Sequence, residues 1–272
     1  MKKFSGIVLC SDVDGTLIDK NNKIPEANKK AIKYFQENGG KFMLATGRIP
    51  EAVVPILDGV TLDFPCICHN GCSLYDFDKK CYIDTIELSK NAAAAIDEVL
   101  EKSPVSGVEI MTTEGIYVLK QNSATDRHIS FEKITARYVD CIEEIKPTWL
   151  KILFAQEEKE TDELYRAMEN SKFKKDYLLL RTHHYYYEIF NKSAGKGNML
   201  RKMCEQYGIK REQLAVIGDN ENDISMLEIA GISAAAGNGA QTVKDMADFV
   251  AKDAESGAVA DFILKLEKGC SY

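Results

Sequence analysis

Residues 6–16 read Gly6-Ile7-Val8-Leu9-Cys10-Ser11-Asp12-Val13-Asp14-Gly15-Thr16, and this stretch decides the fold. An apolar run ending in carboxylates is the pattern of a strand buried on both faces of a parallel sheet, here over Gly6 to Val13. On an extended chain Asp12 and Asp14 point to the same side. They sit at the carboxyl edge, where open α/β sheets bind their ligands. Gly15 lets the chain turn away at once. One carboxylate of such a pair can attack phosphorus while the other handles protons. A calcium loop is excluded, because it needs glycine at its sixth position and Gly15 stands at the fourth.

Working outward, a helix is expected from Pro25 to Asn38, with Ala27, Ala31 and Phe35 on one face and Gly39-Gly40 as its stop. A strand over Phe42 to Thr46, a short helix after Pro50 and a strand over Cys66 to Cys68 follow. The end of the chain repeats this rhythm. Leu200, Met203, Cys204 and Tyr207 mark a helix closed by Gly208, Leu214 to Ile217 a buried strand, and Ile224, Leu227 and Ala230 the next helix. Val259, Phe262, Ile263 and Leu266 define a last helix. Alternating strands and helices read as βαβ units around a parallel sheet.

The middle of the chain differs. Strand-like runs lie next to one another: Gly107 to Met111 and Ile116 to Leu119, then Trp149 to Phe154, then Tyr177 to Leu180 and His184 to Ile189. A helix capped by Ser89 runs through four alanines. An α+β module inserted into an α/β core is the reading, with the core over 1–81 and 188–272 and the insertion over 82–187.

Three further segments carry candidate chemistry. In Leu44-Ala45-Thr46-Gly47-Arg48 a hydroxyl and backbone N–H groups at a strand end can hold a phosphoryl oxygen, although Thr-Gly is also an ordinary turn. Lys196 stands at a helix start, where a cation opposes the helix dipole unless an anion is present. The run Gly218-Asp219-Asn220-Glu221-Asn222-Asp223 supplies carboxylates and amides suited to a hard cation such as magnesium, with helix capping as the plain role for Asn222 or Asp223. All lie at strand ends or helix starts, so a parallel sheet brings them to one edge.

Composition narrows the classes. The 272 residues carry a formal net charge of -7, which argues against a nucleic-acid partner but not against a small phosphorylated ligand. No apolar stretch approaches a membrane span. Met1-Lys2-Lys3 resembles the start of a signal peptide, yet the run Ile7 to Cys10 is too short for one and is expected to stay as the first strand. Eight scattered cysteines fit reduced thiols in the cytoplasm. Cys66, Cys68, His69 and Cys72 lack the spacing of a zinc site and read as strand packing.

In order, Asp12-x-Asp14-Gly15-Thr16, Thr46-Gly47-Arg48, Asn70-Gly71, Glu188-Ile189 leading to Lys196-Gly197, and Gly218-Asp219-x-x-Asn222-Asp223 resemble the motifs of the haloacid dehalogenase superfamily of phosphatases. The likeness is closest to its Cof-type branch, with a C2-type (IIB) cap, and covers nearly the whole chain. It implies a Rossmann-like core with an inserted cap that covers the sheet edge. It further implies a magnesium-dependent phosphatase acting on small phosphate esters through an aspartyl-phosphate. By position, Asp12 is the nucleophile and Asp14 the acid and base. Magnesium lies on Asp12, the Asp14 carbonyl and Asp219, while Thr46, Gly47, Lys196 and Asn222 bind phosphate and Asp223 supports them. Superfamily ATPases carry Thr in place of Asp14 and dehalogenases lack that acid, so Asp14 implies rapid turnover. Gly237-Asn238-Gly239-Ala240 departs from the branch by one extra glycine. A phosphomutase of the phosphomannomutase type, or a binding protein without turnover, are the alternative readings. Arg181, His183, His184 and Tyr185 to Tyr187 are candidates for substrate contact in the cap, with one face of that strand expected in the core. Substrate and oligomeric state stay open.

Overall fold

A computed structural model describes residues 2–269. The chain divides into two compact units, one of residues 1–84 and 195–272, the other of residues 85–194.

The first unit opens with β1 (Val8–Ser11), α1 (Glu26–Glu37), β2 (Lys41–Leu44), α2 (Pro50–Leu57), β3 (Cys66–Cys68), β4 (Ser73–Asp76) and β5 (Cys81–Thr85). The second unit contains α3 (Ala93–Lys102), β6 (Gly107–Thr112), β7 (Gly115–Lys120), α4 (Ser123–Glu132), β8 (Ala136–Tyr138), β9 (Trp149–Ala155), α5 (Glu158–Ala167), β10 (Tyr177–His183) and β11 (Tyr186–Asn191). The chain then returns through α6 (Lys196–Tyr207), β12 (Leu214–Gly218), α7 (Ile224–Leu227), β13 (Ile232–Ala235), α8 (Gln241–Met246), β14 (Phe249–Val250) and α9 (Ala258–Gly269).

In the first unit a five-stranded sheet runs in the order β14-β13-β12-β1-β2, all parallel. A parallel bridge from Ala45 to Ile67 continues it to β3, which heads a three-stranded sheet β3-β4-β5. Strand β1 therefore lies between β2, which follows it, and β12, more than two hundred residues later. Here strand order reverses, the place where open α/β sheets bind their ligands. The fold is α/β and Rossmann-like. All four residues of β1 are buried, as are Phe42 to Leu44 and the whole of β12. Leu9, Phe42, Leu44, Ala215 and Ile217 share one core with Phe35 of α1 and Val259, Phe262 and Ile263 of α9. Each such large side chain contributes about 1.5–3 kcal/mol by leaving water.

The second unit has a six-stranded sheet in the order β10-β11-β9-β6-β7-β8, antiparallel except for β7 with β8. Val108, Ile110, Ile152, Phe154, Tyr187 and Ile189 point into a core with Ile96 and Val99 of α3 and Leu164 of α5. Trp149 belongs to this core. The boundary differs from the expected one: residues 188–194 fall in the second unit. The reason is that β11 hydrogen-bonds between β9 and β10, so Glu188 cannot leave that sheet.

Alternate positions of the same strands carry charge. Glu109 on β6 meets His128 of α4, Oε2 to Nδ1 at 2.7 Å, and Glu132 stands 3.6 Å from the other ring nitrogen. Lys151 and Glu188, both nearly inaccessible to solvent, pair at 2.8 Å. Burial would lower the His128 pKa, but Glu109 and Glu132 outweigh it and raise the value from 6.5 to about 10. No helix among the described residues is long and apolar enough to cross a membrane.

Because the folded His128 pKa is the higher one, its stabilisation is complete below about pH 6.5 and fades as pH rises through about 10. His128→Gln, which leaves Glu109 charged and unpaired, is expected to lose about 3–5 kcal/mol at pH 6. In urea titrations at pH 6 and pH 10 the gap between wild type and variant should shrink. A gap independent of pH would refute the buried ion pair.

Candidate active site

The site begins where β1 ends. The Asp12 N–H still donates to Ile217 O (2.9 Å), and then the chain turns, with the N–H groups of Thr16, Leu17 and Ile18 all directed at Val13 O. This turn corrects the expectation of an extended Asp12–Asp14 pair, because three donors on one carbonyl curl the chain before Asp14. The two carboxylates differ in exposure: Asp12 is buried, while the Asp14 side chain is 49% exposed. Gly15 has φ +75°, and a Cβ there would stand 2.3 Å from Asp219 Oδ2. Only glycine allows the turn after β1 to lie against the carboxylate that follows β12. Asn238 Nδ2 donates to Gly15 O (2.8 Å), so the loop with the extra glycine braces the same turn.

Lys196, the first residue of α6, is buried. Its ammonium contacts Asp12 Oδ1 at 2.6 Å and Asp223 Oδ1 at 2.7 Å. The other Asp223 oxygen accepts from the backbone N–H of Asp219 (2.9 Å) and Asn220 (3.1 Å). Burial pushes the Asp12 carboxyl up to about 7, helped by Asp223 and Asp14 and opposed by Lys196. Asp219 is also raised, first by burial and then by the charges of Asp12 and Asp223. Burial alone would depress Lys196, but the two carboxylates raise it instead.

Asp12, Asp219 and Asp223 each offer an oxygen within 4.8 Å of the others, the one such group of potential metal ligands among the described residues. These are hard oxygen donors, of the kind that could hold a divalent cation. Both Asp223 oxygens already accept hydrogen bonds, so Asp12 and Asp219 are the two of these carboxylates that could hold a cation. Cys66 and Cys68, by contrast, are buried in β3, and His69 Nδ1 is bonded to Ser73 Oγ at 2.8 Å.

Asp14 accepts from Arg48 Nε (2.8 Å) and Nη2 (2.6 Å), and Nη2 also reaches Asn22 Oδ1 (2.9 Å). Arg48 is itself buried, and its N–H donates to Thr46 Oγ1 (3.1 Å). Thr46 is buried just past β2, and Gly47 packs so closely on Asn70 that a Cβ would lie 2.9 Å from Asn70 Oδ1. Asn222 Nδ2 donates to the same Asn70 oxygen at 3.0 Å. The predicted residues thus form two joined groups: Asp12, Lys196, Asp219 and Asp223 around the ammonium, and Thr46, Gly47 and Asn222 around Asn70. Arg48, Asn22, Asn70 and Asn238 had no role assigned from sequence. Arg48 and Asn70 stood inside the quoted motifs, which was the available signal, whereas Asn22 gave none.

The profile for haloacid dehalogenase-like hydrolases matches residues 9–263. The chain belongs to that family. Among its relatives is 5-amino-6-(5-phospho-D-ribitylamino)uracil phosphatase YwtE of Bacillus subtilis, 29% identical over 95% of this chain and 97% of that protein. Another is pyridoxal phosphate phosphatase YbhA of Escherichia coli, 27% identical over 94% of this chain and 97% of that one. A haloacid dehalogenase-like hydrolase of Bacteroides thetaiotaomicron superposes with a TM-score of 0.84 at 21% identity, covering 96% of this chain and 99% of its own, which establishes the fold. Family and relatives make this haloacid dehalogenase-like hydrolase a phosphatase.

Lys196→Met would leave Asp12 and Asp223 buried without their cation, and about 3–5 kcal/mol of stability should be lost. Adding Asp12→Asn should recover part of that loss in melting experiments run with a chelator. Simple addition of two losses would show that the three groups do not act as one electrostatic unit.

Proposed function

We propose that the chain is a magnesium-dependent phosphohydrolase of the cytoplasm that cleaves small phosphate monoesters through an aspartyl-phosphate on Asp12. The contact that supports this most strongly is the buried Asp12 carboxylate held 2.6 Å from the Lys196 ammonium, with Asp219 beside it. A buried carboxylate aimed by a neighbouring cation is a positioned nucleophile.

In the first step an Asp12 oxygen attacks phosphorus in line, the P–O bond to the leaving group breaks, and Asp14 gives that oxygen a proton. In the second, Asp14 takes a proton from water as the water oxygen attacks phosphorus, and the Asp12–phosphorus bond breaks to release phosphate. Lys196, the Thr46 hydroxyl, the Gly47 N–H and the Asn222 amide hold the remaining phosphoryl oxygens. Asp12, the Asp14 carbonyl and Asp219 would hold magnesium, which when bound would supply neutralising charge for the transferring group. Asp223 orients Lys196, and Arg48 holds Asp14 at its turn.

Substrates are small phosphorylated metabolites: sugar phosphates, nucleotides or cofactor phosphates. Relatives that act on a ribitylaminouracil phosphate and on pyridoxal phosphate favour the cofactor group. Residues 85–194 are inserted between the segment that carries Asp12 to Asn70 and the one that carries Lys196 to Asp223, and we assign them the selection of substrate.

The test is phosphate release from a panel of phosphorylated metabolites with magnesium. Wild type should turn over at least one compound, Asp12→Asn none above background, and chelation should abolish a rate that added magnesium restores. A folded wild type inert toward the whole panel would sink this reading, and so would an active Asp12→Asn.

A further inference from the structure

The turn that joins β3 to β4 has an unusual backbone. His69, Asn70 and Gly71 are consecutively left-handed, with φ of +54°, +55° and +90°. The first two are not glycine, and L residues with a side chain seldom adopt this region. Such a conformation persists only where the surroundings over-determine it. Here they do. The His69 N–H donates to Arg48 O and the Asn70 N–H to Thr46 O, both at 3.0 Å, which ties the turn to the loop after β2. Gly71 lies so close to Gly195 that a Cβ would stand 2.2 Å from its carbonyl carbon, which seats the turn on the start of α6. The Asn70 side chain reaches Asn222 in the loop after β12. One turn therefore touches three of the loops that carry the site, although it supplies none of the residues that the mechanism uses.

The Asn222 amide shows what the turn does. With its nitrogen donating to Asn70 Oδ1, its own Oδ1 is buried and takes no hydrogen bond. A buried carbonyl oxygen without a donor is unfavourable, and beside a phosphoryl oxygen it would be repelled. Rotating both amides removes the conflict. Asn70 then donates from Nδ2, Asn222 accepts through Oδ1, and the Asn222 N–H groups turn to where the orphaned oxygen was.

We propose that Asn70 is a positioning residue for phosphate binding, its amide fixing the orientation in which Asn222 presents its N–H groups to a phosphoryl oxygen. The left-handed turn exists to hold that amide between Gly47 and Asn222. This rests on the reading of Asn222 as a phosphate ligand in a phosphohydrolase.

The experiment is a double-mutant cycle on the full chain, with inorganic phosphate as the probe and magnesium present. Asn70→Gly keeps the left-handed backbone and removes only the side chain. Asn222→Ala removes the proposed ligand. Phosphate affinity is measured by calorimetry and as competitive inhibition, with melting temperature as the control for folding. Asn70→Gly should weaken phosphate about 5–10-fold, the scale of one neutral hydrogen bond. In the Asn222→Ala background the same change should cost no further affinity, because the partner it acts through is gone. An undiminished penalty in that background, or full affinity in Asn70→Gly, would overturn the proposal. A wild type that neither binds nor releases phosphate would instead remove the phosphohydrolase reading, and this inference with it.

Discussion

The ammonium of Lys196, set between Asp12 and Asp223, is the contact on which the rest of the site depends. Each of the three groups is unfavourable where it stands without the others. Asp12 is buried at the end of a buried strand, Asp223 is fully buried, and a cation at the start of α6 opposes the helix dipole. Together they satisfy one another. Residues 184 and 27 apart in sequence are thereby fastened to a single point, so the loops after β1 and β12 and the start of α6 cannot drift independently. Asp223 carries the constraint further, because its second oxygen holds the Asp219 and Asn220 N–H groups and so shapes the loop that presents Asp219.

Around that point the backbone is pressed together. The turn at Gly15 touches the Asp219 carboxylate, Gly47 touches Asn70, and Gly71 touches Gly195. Glycine at each place lets two loops from different strands approach within contact distance, and at Gly15 and Gly71 the positive φ requires it as well. The crevice between β2, β1 and β12 is a general property of sheets whose strand order reverses. The glycines bring the loops at that place into close contact.

The parallel core was readable from sequence because apolar runs such as Ile7 to Cys10 and Leu214 to Ile217 end abruptly in polar residues, and because Gly39 and Gly208 stop their helices with left-handed backbones. What escaped reading depends on long-range contact. The strand β1 is shorter than its apolar pattern because Val13 O collects three turn N–H groups, and Asp14 lies in that turn, more exposed than Asp12. Glu188 looked like part of the segment leading to Lys196, yet its strand is paired between β9 and β10. Glu109, in alternation with Val108 and Ile110, reads as a solvent-facing strand position, and only the arrival of His128 from α4 explains its burial. Asn222, which donates to the Asn70 side chain, and Gly15, which accepts from Asn238 Nδ2, likewise lie more than a hundred residues away.

In the proposed mechanism phosphorus is attacked twice, first by Asp12 and then by water. That claim is tested most directly by the stereochemistry at phosphorus, using a substrate whose phosphoryl group is made chiral with oxygen isotopes and sulfur, hydrolysed in isotopically labelled water. Two in-line displacements each invert the centre, so the released thiophosphate should show net retention. Net inversion would mean that water attacks the substrate directly, and the Asp12 phosphoryl intermediate would have to be abandoned.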